Sequence, residues 1–119
     1  MSEEGSAVIP EDFEKLAELH DMASHAVELL KAMANEWRLM ILCQLADGEK
    51  TVSELQSILG LSQSALSQHL AVLRRERVVS ARKQAQSVTY SLAGEAAPKV
   101  MHTLHEVFCE ARGDKTDES

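Results

Sequence analysis

Apolar side chains recur every three or four positions at Leu16, Leu19, Met22, Ala23, Ala26, Leu29, Leu30 and Met33. That spacing lines one face of a helix and predicts a first helix over about Glu11–Ala34. The stripe is long for a small domain, so a partner helix is expected to cover part of it. Asn35 then caps a second helix, Glu36 to Ala46, which Asp47-Gly48 ends. Thr51 and Glu54 form a Thr-x-x-Glu capping box that opens a short third helix, and Gly60 supplies its stop. Ser62 follows closely and caps a fourth helix, Gln63 to about Glu76. Two helices joined by a tight Gly-Leu-Ser turn make a helix-turn-helix.

After Arg77 the pattern changes to VVSARK and SVTYSL, β-rich runs separated by Gln84-Ala85-Gln86, which predict a two-stranded hairpin. A last helix, about Glu95 to Arg112, places Val100, Leu104, Val107, Phe108 and Ala111 on one side. The whole reads as a mainly α fold with a β-hairpin wing: a winged helix-turn-helix with an extra helix at each end. The domain is expected to span residues 11–112, between disordered tails at 1–10 and 113–119.

Composition supports that reading. With 119 residues the chain can build one core, and only Phe13, Trp37, Tyr90 and Phe108 are aromatic, so aliphatic side chains must fill it. The first ten residues hold no signal-like apolar run, and no segment approaches the ~20 apolar residues of a membrane span, so a cytosolic protein without membrane contact is expected. In a reducing compartment the two cysteines, Cys43 and Cys109, are left for packing, metal binding or redox chemistry rather than a permanent structural disulfide.

The net charge of -7 argues at first against a nucleic-acid partner. Its distribution argues the other way. From Lys50 to Gly94 six basic residues face two acidic ones, a net +4, which leaves -11 for the rest of the chain. A basic middle between acidic flanks suits one face that meets a polyanion.

The fourth helix carries the chemistry for reading DNA. Leu66, Leu70 and Leu73 form its inner face, while Gln63, Ser64, Ser67 and Gln68 form a polar outer face near its start. Glutamine bonds adenine bidentately, serine reaches several base edges, and the N-terminal residues of such a helix approach the bases first. Arg82 and Lys83 on the hairpin suit phosphate or minor-groove contacts with double-stranded operator DNA.

These residues resemble the ArsR/SmtB repressors, dimeric winged-helix proteins of bacteria. The resemblance covers roughly Val27 to Cys109 and rests on LLKAMANEWRLMIL, TVSELQSILGLSQSALSQHLAVLRRERVV and the wing with TYSL. It implies that Gln63, Ser64, Ser67 and Gln68 face the major groove, that the wing lies along the backbone, and that the first and last helices form a homodimer. Trp37 departs from the family pattern, which more often has proline or a small or charged residue there.

Family members are commonly released from DNA by a ligand. The Cys-x-Cys pair of the arsenic and lead or cadmium sensors is absent, since Thr51 and Ser53 stand at the matching positions. His102 and His105 have the spacing of half an interfacial zinc site, but Thr89 and Ser91 stand where its acid and histidine partners belong. A zinc-responsive repressor using His102 and His105 is therefore an alternative, with an incomplete ligand set and no cofactor expected.

Cys43 in NEWRLMILC and Cys109 after Phe108 resemble the BigR, SqrR and HlyU branch, which senses sulfide-derived persulfides. That resemblance implies that the two cysteines are the sensing residues, and that a persulfide or polysulfide inducer links them by a disulfide or longer sulfur bridge within one protomer. A thiolate attacks sulfane sulfur and a second thiol resolves the product. His105 and Arg112 favour a thiolate at Cys109 while Glu106 and Glu110 oppose it, so the attacking residue stays open. A winged helix that contacts only protein is a further alternative. An enzyme is not expected, because no nucleophile-base-acid set or phosphate-binding glycine loop is visible.

Overall fold

The computed structural model describes residues 10–110 of the chain. The expected tails therefore fall outside the described residues, except that Pro10 already belongs to the first helix.

Helix α1 spans Pro10–Met33 and α2 spans Glu36–Ala46. Asn35 separates them in extended conformation, its side chain accepting from the backbone N–H of Arg38 at 3.1 Å. This satisfies an amide that the first turn of a helix leaves without a partner. A two-residue strand, β1 (Lys50–Thr51), leads into α3 (Val52–Leu59). The capping box at its start is complete: Glu54 N–H donates to Thr51 Oγ1 at 3.1 Å, and Thr51 N–H donates to Glu54 Oε1 at 2.8 Å. Gly60 ends α3 with φ 72°, the left-handed conformation that glycine adopts without steric cost. Ser62 Oγ accepts from Ala65 N–H at 3.1 Å and opens α4, Gln63–Arg75.

Arg77, with φ 60°, turns the chain out of α4 into strand β2 (Val79–Gln84), which pairs antiparallel with β3 (Ser87–Leu92). The pair Gln84↔Ser87 closes the hairpin on two residues, Ala85 and Gln86. Gln84 is thus a strand residue, not part of the connection that the sequence pattern predicts. The sheet has three strands in the order β1-β3-β2, with Lys50 opposite Tyr90 and Thr51 opposite Thr89. Two residues are too short to show alternation, so the sequence pattern predicts only the hairpin.

The last helix also differs from expectation. An α-helix, α5 (Ala96–Leu104), passes into a π-helical segment over His105–Glu110. The predicted end at Arg112 lies outside the described residues.

The core forms where the helix-turn-helix packs on α2. Ile41, Leu42, Leu55, Leu66 and Leu73 are completely buried, joined by Leu45, Leu70, Val78, Val79 and Ala97. Each such side chain contributes roughly 1.5–3 kcal/mol by leaving water. The inner leucines of α4 are therefore what fix its outer face. By contrast, Phe13, Leu16, Leu19, Met22, Val27 and Leu30 on α1 are about half exposed, as are Val107 and Phe108 near the other end.

Candidate functional site

Burial of Leu66, Leu70 and Leu73 turns Gln63, Ser64, Ser67 and Gln68 to solvent, and all four are exposed. Gln63 and Ser67 border a polar cleft of about 350 Å³ between α4, the start of α3 and the tip of the wing. Ser53, Gln56 and Gln86 border the same cleft. These three were not singled out by the sequence pattern, which treats Gln86 only as a turn residue. Their proximity to Gln63 arises from the sheet, because β1 pins the start of α3 beside β3.

Arg82 and Lys83 are exposed on β2, together with Arg74, Arg75 and Arg77 at the end of α4. Arg82 is not free of partners: its guanidinium donates to Glu49 Oε1 at 2.9 Å, and to Gln84 Oε1 at 3.5 Å. An exposed pair of this kind contributes little to stability, about 0–1 kcal/mol.

A second network lies behind α4. Arg38 of α2 donates through Nε to the carbonyl of Ala32 at 2.5 Å and through Nη2 to that of Lys31 at 3.4 Å. Both carbonyls belong to the last turn of α1, where no intrahelical N–H remains for them. Nη1 of the same guanidinium reaches Nδ1 of His69 on α4 at 3.4 Å. Partial burial, and then the Arg38 charge, hold the His69 imidazole below its ordinary pKa. Sequence alone showed Arg38 only as a letter of the NEWR string.

The two cysteines border a third place. Cys43, Cys109, Leu39, Met101, Leu104 and Phe108 line one cavity of about 620 Å³ between α2 and the last helix. Both thiols are free and exposed. Partial burial pushes the Cys43 thiol up, with further contributions from a thiolate at Cys109 and from the Asp47 carboxylate.

His102 and His105 also border this cavity. His102 Nε2 lies 3.2 Å from the Glu106 carboxylate, an exposed pair one helical turn apart. Among the described residues no three histidine, cysteine or acidic side chains come together in a way that would hold a metal ion. Thr89 is buried and Ser91 faces Ser80 across the hairpin at 3.2 Å, so neither side of the sheet adds a ligand to the histidines.

Comparison with known proteins follows the same lines. The sequence pattern of the bacterial regulatory proteins of the arsR family matches residues 35–81, from the cap of α2 through the helix-turn-helix into the wing. The transcriptional activator HlyU of Vibrio cholerae is 53% identical over 96 residues, 81% of this chain and 89% of its own. The chain belongs to the ArsR family. Its members are transcriptional regulators that bind DNA through a winged helix, and they are not enzymes. The biofilm growth-associated repressor of Agrobacterium fabrum is 38% identical, over 79% of this chain and 80% of its own. The structure of reduced HlyU from Vibrio cholerae superposes with a TM-score of 0.74 at 53% identity, covering 77% of this chain and 97% of that one. The ArsR fold explains why α4 and the wing stand on one side. No helix among the described residues is long and apolar enough to cross a membrane.

Proposed function

We propose that this ArsR-family regulator is a homodimeric cytoplasmic repressor whose hold on operator DNA is relieved when a persulfide or polysulfide links Cys43 to Cys109. The single observation that carries the reading is that the two cysteines of the chain, 66 positions apart, border one cavity. A relative known in a reduced form is consistent with thiols that change state.

The chemistry balances with the persulfide as oxidant. A cysteine thiolate attacks the terminal sulfur of R–S–SH, the sulfur–sulfur bond breaks, and R–S⁻ leaves and takes up a proton as R–SH. The second thiolate then attacks the inner sulfur of the new cysteine persulfide and expels hydrosulfide. Two thiols lose two electrons and the persulfide gains them, giving a disulfide, R–SH and H₂S. A second equivalent of persulfide inserts one more sulfur in the bridge.

In this mechanism Gln63, Ser64, Ser67 and Gln68 contact bases, and Arg82 and Lys83 contact phosphates. The exposed apolar stripe of α1, with Val107 and Phe108, is covered by the second protomer. A bridge ties α2, which supports the reading helix, to the last helix, which joins the protomers. By loop closure it is worth roughly 4 kcal/mol relative to the open chain. Only the part that differs between DNA-competent and other arrangements changes affinity, and ~1–3 kcal/mol is enough for a switch.

The test is intact-mass analysis and operator binding of the reduced protein after separate treatment with persulfide, a disulfide oxidant and hydrogen peroxide. Sulfur bridging of Cys43 and Cys109 with loss of DNA binding is expected from persulfide. Cys43→Ser and Cys109→Ser should bind DNA and ignore the inducer; variants that still respond refute the reading.

A further inference from the structure

Ser53, Gln56 and Gln86 have no role in the proposed function, although they share a polar cleft with Gln63 and Ser67. Three elements wall it: α4 through Gln63 and Ser67, α3 through Ser53 and Gln56, and the tip of the wing through Gln86 and Ser87. Gln56 is half-buried and the other five are exposed. At about 350 Å³ the cleft has room for some ten waters at ~30 Å³ each. Among the described residues no acidic or basic side chain borders it. Glu54, next to Ser53 in the chain, is turned back onto Thr51 N–H at 2.8 Å by the capping box. The one side-chain hydrogen bond at the cleft among the described residues is that of Thr51 Oγ1, which accepts from Glu54 N–H. Three glutamine amides and three serine hydroxyls are therefore left to donate to a partner.

The place of the cleft, between α4 and the wing, decides what those donors meet. With α4 in a major groove and the wing toward the neighbouring minor groove, one strand's sugar–phosphate backbone runs between them, because that backbone is the wall separating the two grooves. Amides and hydroxyls are ordinary donors to phosphate oxygens. Unlike lysine or arginine, they hold a phosphate without neutralising it, so no counterion is released. Lys83 is the register partner of Val88, which borders the cleft, so the charged contact of the wing and the uncharged donors lie along one edge. Resting on the placement of α4 in the major groove proposed above, we infer that the cleft is an uncharged seat for the DNA backbone, in which Ser53, Gln56 and Gln86 donate to phosphate oxygens of a single strand. The seat fixes the height of α4 over the base edges. Its loss therefore weakens binding to every sequence alike and leaves the salt dependence as it was.

The test measures binding of the reduced full-length protein to two mixed-sequence duplexes of about 30 base pairs, between roughly 50 and 200 mM salt. Ser53→Ala combined with Gln86→Ala is expected to lower affinity for both duplexes about three- to tenfold at every salt concentration, with an unchanged slope of log K against log salt. Gln86→Lys places a charge at the same point and is expected to tighten binding and steepen the slope by about one. Arg82→Ala is the control for an ionic contact. Alanine variants that bind as the wild type does, or a Gln86→Lys slope that does not change, overturn the seat, while a weakened Arg82→Ala keeps the DNA reading in place. A loss confined to one of the two duplexes overturns the seat in favour of base contacts. Wild-type affinity that does not fall steeply with salt for either duplex overturns both. The Gln86→Lys comparison stands even if the double variant does not fold.

Discussion

Arg38 joins His69 to the end of α1: one guanidinium donates to two carbonyls of the first helix and, at 3.4 Å, to the imidazole on α4. Arginine has no acceptor, so Nδ1 of His69 is the acceptor and its proton sits on Nε2. The orientation of α4 is thereby referred to α1. Arg38→Ala is expected to destabilise the fold by about 1–2 kcal/mol in denaturant unfolding and to weaken operator binding. Arg38→Lys should recover little of either, since a single ammonium cannot span the fork.

The same contact gives a pH dependence. His69 has a lowered pKa in the folded chain, because burial and the Arg38 charge disfavour imidazolium. Between that lowered value and the ordinary ~6.5 the unfolded chain binds more protons, so stability falls as pH falls through this window. Below the folded pKa the loss is complete. Unfolding curves between pH 7.5 and 5 should show the decline, and His69→Asn should flatten it.

Thiol reactivity should follow charge as well. Cys43 is raised by burial, by Cys109 and by Asp47. Alkylation of Cys43 in the Cys109→Ser background is expected to speed up with rising pH, and adding Asp47→Asn should move the midpoint further down. A midpoint that ignores Asp47 would show that its carboxylate does not reach the sulfur.

The wing carries a built-in competitor. Glu49 holds the Arg82 guanidinium at 2.9 Å, and in the proposed DNA complex it competes there with a phosphate. Glu49→Gln should therefore tighten operator binding severalfold at low salt. Arg82→Ala should weaken binding to all sequences alike and reduce the salt slope by about one.

Ala85 occupies the hairpin turn with φ 53°, a left-handed position that costs an alanine roughly 1 kcal/mol. Ala85→Gly is expected to raise stability by about 0.5–1 kcal/mol, read as a higher melting temperature.

What the sequence displays, and what it conceals, follows from range. The caps at Asn35, Thr51 and Ser62 act over three residues, so their partners stand beside them in the chain, and the helix starts could be read directly. The outer face of α4 was equally legible, since the leucines opposite it repeat at helical spacing. Lys50–Thr51 could not be read as a strand, because its partner is Thr89-Tyr90, some forty positions on. The Arg38–His69 contact and the enclosure around Cys43 are likewise products of packing between distant segments. The resemblance placed both cysteines at matching family positions, but it said nothing of the apolar room around them.

The passage from α-helix to π-helix at His105 sets where Cys109 points. A ladder of i→i+5 bonds winds more slowly than one of i→i+4 bonds, so four residues along, the side chain has swung by less of a circle. If His105–Glu110 tightened into α geometry, the Cys109 sulfur would rotate about the helix axis relative to Leu104 of α5. The pitch of six residues thus sets the bearing of the Cys109 side chain about its own helix axis.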